Sequence, residues 1–500
     1  MQFNSLHFLI FFPAVLLVYF VIPAKVRYIW LLLASYYFYM SWNPVYALLI
    51  AFSTVITYLC SLGIGMLNTD PRDRNRRLRR AMLIIGLAGN LLVLFVFKYF
   101  NFASDSVNAV LKGFGYSPIA PKVDFVLPVG ISFYTFQALG YMIDVYRGDT
   151  PAEKNPLRYA LFVSFFPQLV AGPIERSGNL LSQLKNVEKI KPFDYERIIK
   201  GFSVMLWGYF MKVVVADRAA VIVNHVFDNW WHLDSLALVL GTVFFAVQIY
   251  CDFAGYSAVA VGAAGVMGFT LTDNFKTPYF AVSVRDFWRR WHITLSTWFR
   301  DYVYIPLGGN RRGKARKYLN MMLTQLLSGL WHGANWTYVV WGGIHGLYQV
   351  AGDITRRPKE RLYRRFGVNT GAKSFRVLKA AVTFCLVDLA WIFFRAPSIS
   401  VACMYIARIF THIDPWNLTN GSLADLGMDG RELNILLISV AALIVVDLLQ
   451  KKKNRRFDSL LENQNMWFRP VVLLVIAFVI IIFGAYGLSF DPQQFIYFQF

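Results

Sequence analysis

The chain has 500 residues, of which 57% are hydrophobic and 17% aromatic, whereas only 16% are charged. This composition is too apolar for a soluble protein of that size and excludes an ordinary soluble enzyme. A net charge of +21 would suggest nucleic-acid binding in a soluble protein. Here the basic residues gather in short segments between apolar ones, a pattern that reports membrane orientation and not a nucleic-acid partner.

Apolar segments long enough to cross a hydrocarbon core of about 30 Å recur along the whole chain. They predict an all-α, polytopic integral membrane protein with roughly 11 transmembrane helices, plus re-entrant and interfacial helices around a central cavity or tunnel. The first segment lacks a basic flank and a small-residue cleavage site, which indicates a retained anchor. Clear examples are Leu6 to Ile22, Tyr28 to Met40, Val45 to Leu62 and Val471 to Leu488.

Four basic clusters lie between the apolar segments and should face the cytoplasm. Counting spans outward from them places both Met1 and the tail 489–500 on the extracytoplasmic side. The clusters are Arg72 to Arg80, Arg311 to Lys317, Arg356 to Arg376 and Lys451 to Arg456.

The cysteines and one acidic residue give only weak signals of a ligand site. The four cysteines lie in apolar context without Cys-x-x-Cys spacing, so we expect neither a disulfide framework nor a metal site. Asp252 is a charge inside an apolar segment. It could tune a cavity, but a structural pairing with an arginine is the favoured interpretation. The cysteines are Cys60, Cys251, Cys385 and Cys403.

From Arg285 to Asp301, aromatic and basic residues alternate at helical spacing. Such a segment should not face lipid across the bilayer. It fits an interfacial or re-entrant helix, which could act as a surface anchor or line a substrate site, with Arg289 among the candidates. The Gly-rich basic turn from Pro306 to Lys314 matches no phosphate-loop spacing, and a positive-inside loop explains it better.

The stretch Tyr318 to Val350 is apolar, yet it contains His332 within Gly329 to Trp336. Its flanks are basic, and its length suits a hairpin of two short helices that leaves the Trp331-His332-Gly333 turn partway through the bilayer. An intramembrane imidazole can accept and return a proton, so His332 is a candidate base. The alternative is a histidine that hydrogen-bonds across packed helices. His345 has no comparable motif and is interpreted as packing.

Several of these motifs occur in an ordered set that resembles the membrane-bound O-acyltransferase family, in particular its bacterial branch. The similarity extends from Met1 to roughly Phe394 and leads us to expect one membrane-embedded domain over residues 1–500, with a catalytic core at about 125–350. The motifs are Arg289 to His292, Pro306 to Asn310, Leu330 to Gly333, Pro128 to Gln137 and Phe166 to Ile174.

The resemblance implies transfer of a short acyl group from a cytoplasmic thioester to an extracellular hydroxyl at a bacterial cytoplasmic membrane. His332 would be the catalytic base, since imidazole is the commonest group to deprotonate a hydroxyl, and His292 would line or orient the same tunnel. Trp331 and Asp252 would line the cavity. Asn335, one helical turn from His332, could orient the imidazole, although a buried interhelical hydrogen bond is the simpler interpretation.

Relatives of this kind O-acetylate secreted polysaccharides or cell-wall glycans. The resemblance therefore implies acetyl-CoA as the donor, no permanently bound cofactor, and an extracytoplasmic esterase-like partner. The alternative within the family is transfer of D-alanine to teichoic acid from a carrier-protein thioester. A transporter or flippase is the alternative of another class, but the halves of the chain show no internal repeat.

The chain ends with Phe495-Ile496-Tyr497-Phe498-Gln499-Phe500. Aromatic residues anchor segments at membrane interfaces, and this alone could explain the tail. The tail also resembles the aromatic C-terminal motif, with a central tyrosine, of the small peptide partner of D-alanylation systems. Because a phenol can form a covalent intermediate when a base activates it, Tyr497 is a candidate acyl carrier.

Overall fold

A computed structural model describes residues 1–68, 75–123, 127–170, 172–418, 426–465, 467–486 and 495–496. Within these ranges the regular structure is helical and no residue belongs to a strand, which confirms the all-α prediction. Some predictions concern residues outside these ranges. They include the first part of the Arg72 to Arg80 cluster and, in the tail, Tyr497.

Six helical segments among the described residues are long and apolar enough to cross a membrane, and three shorter helices are also apolar. The chain is therefore a multi-pass membrane protein, as its composition predicts, while the number of roughly 11 spans remains a prediction. The six long segments are Pro44–Leu67, Arg76–Gly113, Tyr195–Asp228, Ser235–Met267, Lys373–Arg395 and Gly430–Lys453. The shorter apolar helices are Leu6–Val21, Ile399–Thr411 and Phe468–Phe483.

Contacts between residues divide the chain into two compact units. The first unit comprises residues 1–205 and 259–272, and the second comprises 206–258 and 273–500. The prediction of one membrane-embedded domain with a catalytic core at about 125–350 remains a prediction.

The first unit begins with α1 to α9, whose starts follow local sequence signals. Ser5 caps α1 by accepting a hydrogen bond from Phe8 N, and Asn155 caps α7, which has Pro156 at its first position. The bounds are α1 Leu6–Val21, α2 Arg27–Met40, α3 Ala47–Leu67, α4 Arg76–Leu94, α5 Phe100–Gly113, α6 Ile131–Arg147, α7 Pro156–Ser164, α8 Phe166–Leu169 and α9 Leu180–Lys185.

Two upstream motifs that carry the family resemblance meet inside the first unit. Gln168 Nε2 donates to Gln137 Oε1 at 2.9 Å, and both side-chain amides donate to the carbonyl oxygen of Phe162. Gly130 precedes α6 with φ 75°. A Cβ at that position would lie 2.5 Å from the carbonyl oxygen of Leu169. Only glycine permits this approach, so the conformation and the packing both depend on it.

The second unit contains the remaining helices, with α10 and α12 contributing residues to both units. A π-helical segment, Phe210–Ala216, joins α10 to α11. The bounds are α10 Tyr195–Tyr209, α11 Asp217–Asp228, α12 Ser235–Met267, α13 Val284–Trp288, α14 Ile293–Phe299, α15 Gly313–His332, α16 Trp336–Ile354, α17 Arg356–Arg365, α18 Lys373–Arg395, α19 Ile399–Thr411, α20 Gly430–Lys453, α21 Phe457–Glu462 and α22 Phe468–Phe483.

The predicted hairpin is present as α15 and α16, which pack closely against each other. A Cβ on Gly329 would lie 2.2 Å from the carbonyl oxygen of Tyr338, so glycine allows the two backbones to touch. At the open end of the hairpin, Lys317 Nζ pairs with Asp353 Oδ2 at 2.5 Å. The helices have 20 and 19 residues, and each is about 30 Å long at 1.5 Å per residue. Each helix is therefore about as long as the hydrocarbon core is thick, so the prediction of two short helices is wrong, while the depth of the Trp331-His332-Gly333 turn in the bilayer remains a prediction.

An aromatic core fills the second unit around this hairpin. Trp291, Trp341 and Trp391 are completely buried, and the rings of Trp341 and Trp391 are stacked with centroids 5.4 Å apart. Aromatic side chains bury large areas in defined orientations. This core fixes the ends of α13, α15, α16 and α18 relative to one another.

Candidate active site

His332 is the last residue of α15 and is 2% exposed. The helix ends here because Gly333 is extended, with φ −161° and ψ 150°. The imidazole is surrounded by aromatic rings, with centroid distances of 5.0 Å to Trp331, 5.1 Å to Trp341 and 5.6 Å to Phe394. An enclosure of this kind fixes the orientation of the ring and excludes bulk water from it.

His292 lies at a break in the segment for which helical spacing had suggested one continuous helix from Arg285 to Asp301. The structure instead has α13 and α14 separated by residues 289–292, and His292 directly before α14 has φ 42° and ψ 56°. This left-handed conformation is uncommon for a residue with a Cβ and stores strain that surrounding contacts must offset. The imidazole is completely buried. A buried, strained histidine is a typical candidate for a functional residue.

Asn274 holds the break in place, and sequence reasoning did not identify it. Its carbonyl oxygen accepts from Ile293 N at 2.9 Å, and its Oδ1 accepts from Thr294 Oγ1 at 2.6 Å. These hydrogen bonds fix the residues on the C-terminal side of His292. No local motif marks Asn274, because its role depends on a tertiary contact between a loop and the start of α14.

The two predicted histidines are neighbours in the second unit. The ring centroids of His292 and His332 lie 6.3 Å apart, and the Trp331 ring lies 5.7 Å from that of His292. Burial lowers the pKa of His292 to about 3, because the charged form loses its hydration. His292 is therefore neutral at physiological pH and can offer one acceptor nitrogen and one donor.

The other predicted cavity residues have different environments. Trp331 is buried beside both histidines, whereas Arg289 is exposed at the end of α13 and is not among the buried residues. Asn335 does not continue the helix of His332. It is the N-cap of α16, where its Oδ1 accepts from Thr337 N at 3.0 Å. The expected relation of one helical turn to His332 is therefore wrong, because α15 ends at His332.

His345 belongs to the same aromatic core as His332 but has a different partner. Its Nδ1 accepts from Trp288 Nε1 at 3.2 Å, and its ring is stacked on Phe287. These contacts agree with its interpretation as a packing residue.

Asp252 pairs with a lysine and not with the arginine that we expected. Its Oδ1 lies 2.6 Å from Lys212 Nζ, and the same ammonium lies 2.7 Å from Asp217 Oδ1. All three side chains are almost fully buried. The other carboxylate oxygen, Oδ2, accepts from the backbone N–H of Ile496 at 2.6 Å.

The described part of the C-terminal tail thus lies inside the second unit. Phe495 and Ile496 are buried, and the Phe495 ring lies 4.5 Å from Tyr256 and 5.8 Å from Phe253. The Phe253 ring is in turn 4.7 Å from His292. One aromatic ring therefore separates the tail from the histidine pair.

No cluster of residues suited to a metal ion occurs among the described side chains. The arrangement is one of two buried imidazoles, one of them strained, with a peptide segment close by. A neutral imidazole can accept a proton from a hydroxyl and return it to a leaving group. This arrangement suits proton transfer during attack by an oxygen nucleophile.

Several known proteins are similar to the chain over all or part of its length. The family model described as the membrane-bound O-acyltransferase family matches residues 151–366. A probable alginate O-acetylase of Pseudomonas putida is 36% identical over 100% of both chains. A peptidoglycan O-acetyltransferase of Helicobacter pylori is 34% identical over 78% of this chain and 76% of its own. A teichoic acid D-alanyltransferase of Bacillus subtilis is 26% identical over 52% of this chain and 64% of its own.

The match with the Pseudomonas putida relative spans the complete chain. The family model covers the positions of His292 and His332 and ends directly after α17. On this evidence the chain belongs to the membrane-bound O-acyltransferase family and is an acyltransferase.

Proposed function

We propose that the protein transfers an acetyl group from acetyl-CoA, on the cytoplasmic side, towards O-acetylation of an extracellular polysaccharide or cell-wall glycan. The proposal is supported by two relatives named for O-acetylation, which are 34% and 36% identical over most or all of the chain. The teichoic acid D-alanyltransferase is 26% identical over 52% of the chain. D-alanyl transfer is therefore the weaker candidate.

The single observation that carries the mechanism is the buried pair of His292 and His332. A neutral His332 accepts the proton of an attacking hydroxyl as its oxygen forms a bond to the thioester carbonyl carbon. The carbon–sulfur bond then breaks, and the proton passes to the departing thiolate. The products are an O-ester and a free thiol, so atoms and charge balance without another reactant.

His292 orients the reacting groups in this proposal and does not act as the base. Its completely buried ring packs against Phe253 and Trp331, so it cannot easily reorient during a proton-transfer cycle. A fixed donor or acceptor next to the reacting atoms lowers the entropic cost of reaching the transition state. The fully helical backbone of His332 carries no comparable strain.

The basic clusters orient the site in the membrane. Lys373 begins α18 within a basic cluster, and Phe394 lies next to its last residue. His332 contacts Phe394 and lies at the end of α15 away from the basic residues at its start. If both basic ends face the cytoplasm, His332 lies towards the extracytoplasmic side of the bacterial cytoplasmic membrane. The proposal also places both chain termini on the extracytoplasmic side.

Tyr497 is the acyl carrier in this proposal. It directly follows Ile496, which is buried on Asp252, and the neighbouring Phe495 packs on Phe253 beside His292. The phenol would accept the acetyl group from the thioester and present it to an extracytoplasmic, esterase-like partner. That partner would transfer the group to the glycan.

The purified full-length protein in detergent or liposomes tests the proposed donor. It is incubated with acetyl-CoA carrying a labelled acetyl group, or with a carrier protein charged with labelled D-alanine. We expect labelling of the protein, or release of free CoA, only with acetyl-CoA, and neither in His332→Ala. Labelling by the D-alanyl carrier alone would replace acetylation with D-alanylation. Solute flux in liposomes without any thioester dependence would favour a transporter.

A further inference from the structure

A buried ionic cluster in the second unit lies where the chain's tail returns to the helical core. Lys212 comes from the π-helical segment 210–216, and Asp252 comes from α12. Gly255 brings these two elements together, because a Cβ there would lie 2.8 Å from the Gly208 carbonyl oxygen and 3.1 Å from Lys212 N. Backbones this close place the ammonium and the carboxylate in direct contact.

The carboxylate of Asp252 divides its two oxygens between two donors. Oδ1 faces Lys212 at 2.6 Å, while Oδ2 accepts from the Ile496 N–H at 2.6 Å. Lys212 is shared with Asp217, so two acidic groups meet one ammonium. A backbone N–H adds a further positive dipole at the side of Asp252 that Lys212 does not cover. A buried carboxylate is stable only when such donors satisfy it.

An aromatic wall completes this site. Tyr256, one turn after Asp252 on α12, packs its ring 4.5 Å from that of Phe495. Lys212 Nζ lies 5.4 Å from the centroid of the same Tyr256 ring. The site therefore contacts two consecutive tail residues in different ways: the side chain of Phe495 and the main chain of Ile496.

The residues shortly before the tail are hydrogen-bonded next to the same cluster. Ala485 N donates to the carbonyl oxygen of Val213 at 2.9 Å, and Val213 follows Lys212 in the sequence. Arg218 donates to the carbonyl oxygen of Phe483 at 2.9 Å. The chain therefore returns to this region twice. Phe483 and Ala485 are hydrogen-bonded to the segment 212–218, and Ile496 is hydrogen-bonded to Asp252.

We propose that Asp252, oriented by Lys212, and the ring of Tyr256 form a binding site for the chain's own C-terminal segment. The site recognises a peptide that offers a main-chain N–H directly after an aromatic residue. It fixes the register of the tail, because only one residue can donate to Asp252 while its predecessor fills the aromatic wall. This inference goes beyond the proposed function, since it holds whichever thioester the enzyme uses and whatever chemistry Tyr497 performs.

The test measures hydrogen–deuterium exchange in the full-length protein and follows the peptide that contains Ile496. Asp252→Asn removes the negative charge from the proposed binding site, and Phe495→Ala removes the aromatic ring from the bound tail. Each should accelerate exchange of that peptide by about tenfold to a hundredfold, as expected when a hydrogen bond to a charged group is lost. Asp447→Asn is the matched control, because Asp447 is a buried carboxylate on α20 that accepts from Tyr250.

Faster exchange of the tail peptide in both variants, with peptides from α11 and α16 unchanged, supports the binding site. Wild-type protection of the tail in Asp252→Asn and Phe495→Ala overturns it. General acceleration across the second unit in Asp252→Asn, with slow tail exchange in Phe495→Ala, also overturns it, because the cluster would then stabilise the helical fold without recognising the tail. Phe495→Ala changes only the tail side of the contact and keeps the test decisive if Asp252→Asn fails to fold.

Discussion

The ring centroids of His292 and His332 lie 6.3 Å apart, although one residue follows a short helix and the other ends a long one. The aromatic core brings them together, with Trp331 in contact with both. Their backbones differ, since His292 is left-handed and His332 is helical. This difference leads us to assign the proton-transfer role to His332 and the orienting role to His292.

Replacement of His292 separates its chemical role from its backbone role. His292→Asn keeps a residue that tolerates the left-handed conformation, whereas His292→Ala does not. We expect both variants to lose less activity than His332→Ala, and His292→Ala also to lose about 1 kcal/mol of stability relative to His292→Asn. Acyl transfer per unit of folded protein and thermal unfolding measure the two effects. A loss of activity in His292→Asn equal to or larger than that of His332→Ala would reverse the two roles.

The glycines of the α15–α16 hairpin give a matched pair for testing its packing. A Cβ at Gly329 would lie 2.2 Å from a backbone oxygen, whereas one at Gly343 would lie 3.4 Å from the end of the Leu326 side chain. Gly329→Ala should therefore separate the helices and cost about 1–3 kcal/mol. Gly343→Ala should be close to neutral, since alanine favours a helix. Equal thermal stability of the two variants would contradict the close packing of the hairpin.

Membrane orientation can be tested by labelling introduced cysteines in intact cells. Cysteines at Gly313 and Lys452 should be protected from an impermeant thiol reagent, because both lie in basic clusters that should face the cytoplasm. A cysteine at Gln493 should react, provided that the tail is extracytoplasmic. Permeabilised cells provide the control, since all three positions should then be open to the reagent. Reaction of the first two positions in intact cells would overturn the proposed topology.

Tyr497→Phe deletes one hydroxyl and keeps an aromatic anchor. If Tyr497 carries the acyl group, the variant should lose transfer at normal membrane levels, and the wild-type C-terminal peptide should show an acyl adduct by mass spectrometry. Phe498→Tyr in the Tyr497→Phe background tests whether a neighbouring phenol can substitute. Wild-type transfer by Tyr497→Phe would show that the tail serves only as an anchor.

Much of the architecture follows from the sequence because the bilayer restricts the choices. Long apolar segments can satisfy their backbone groups in a membrane as helices, so composition alone predicts the all-α class. The hairpin around His332 follows from its glycines and basic flanks. The break at His292 could not be predicted, because residues 285–301 keep helical spacing across it and the hydrogen bonds that fix it come from Asn274.

The residues of the candidate site stand out in the sequence where an ionisable group lies in an apolar context. His332, His292 and Asp252 stand out for this reason, and the structure brings the two histidines together. Their partners depend on tertiary packing, which local spacing cannot reveal. No local motif marks Lys212 as the partner of Asp252. The contact of Asp252 with Ile496 joins residues that are far apart in the sequence.

The central claim is that His332 is the base of an acyl transfer, and the most direct test compares His332→Ala with His345→Gln. Both change a buried histidine of the same aromatic core, but His345→Gln retains an acceptor for Trp288. The measurement is acylated glycan per unit of membrane protein. We predict that His332→Ala lowers it by about 100- to 10,000-fold at normal abundance, while His345→Gln retains most of it. Near-normal acylation in His332→Ala would contradict the assignment.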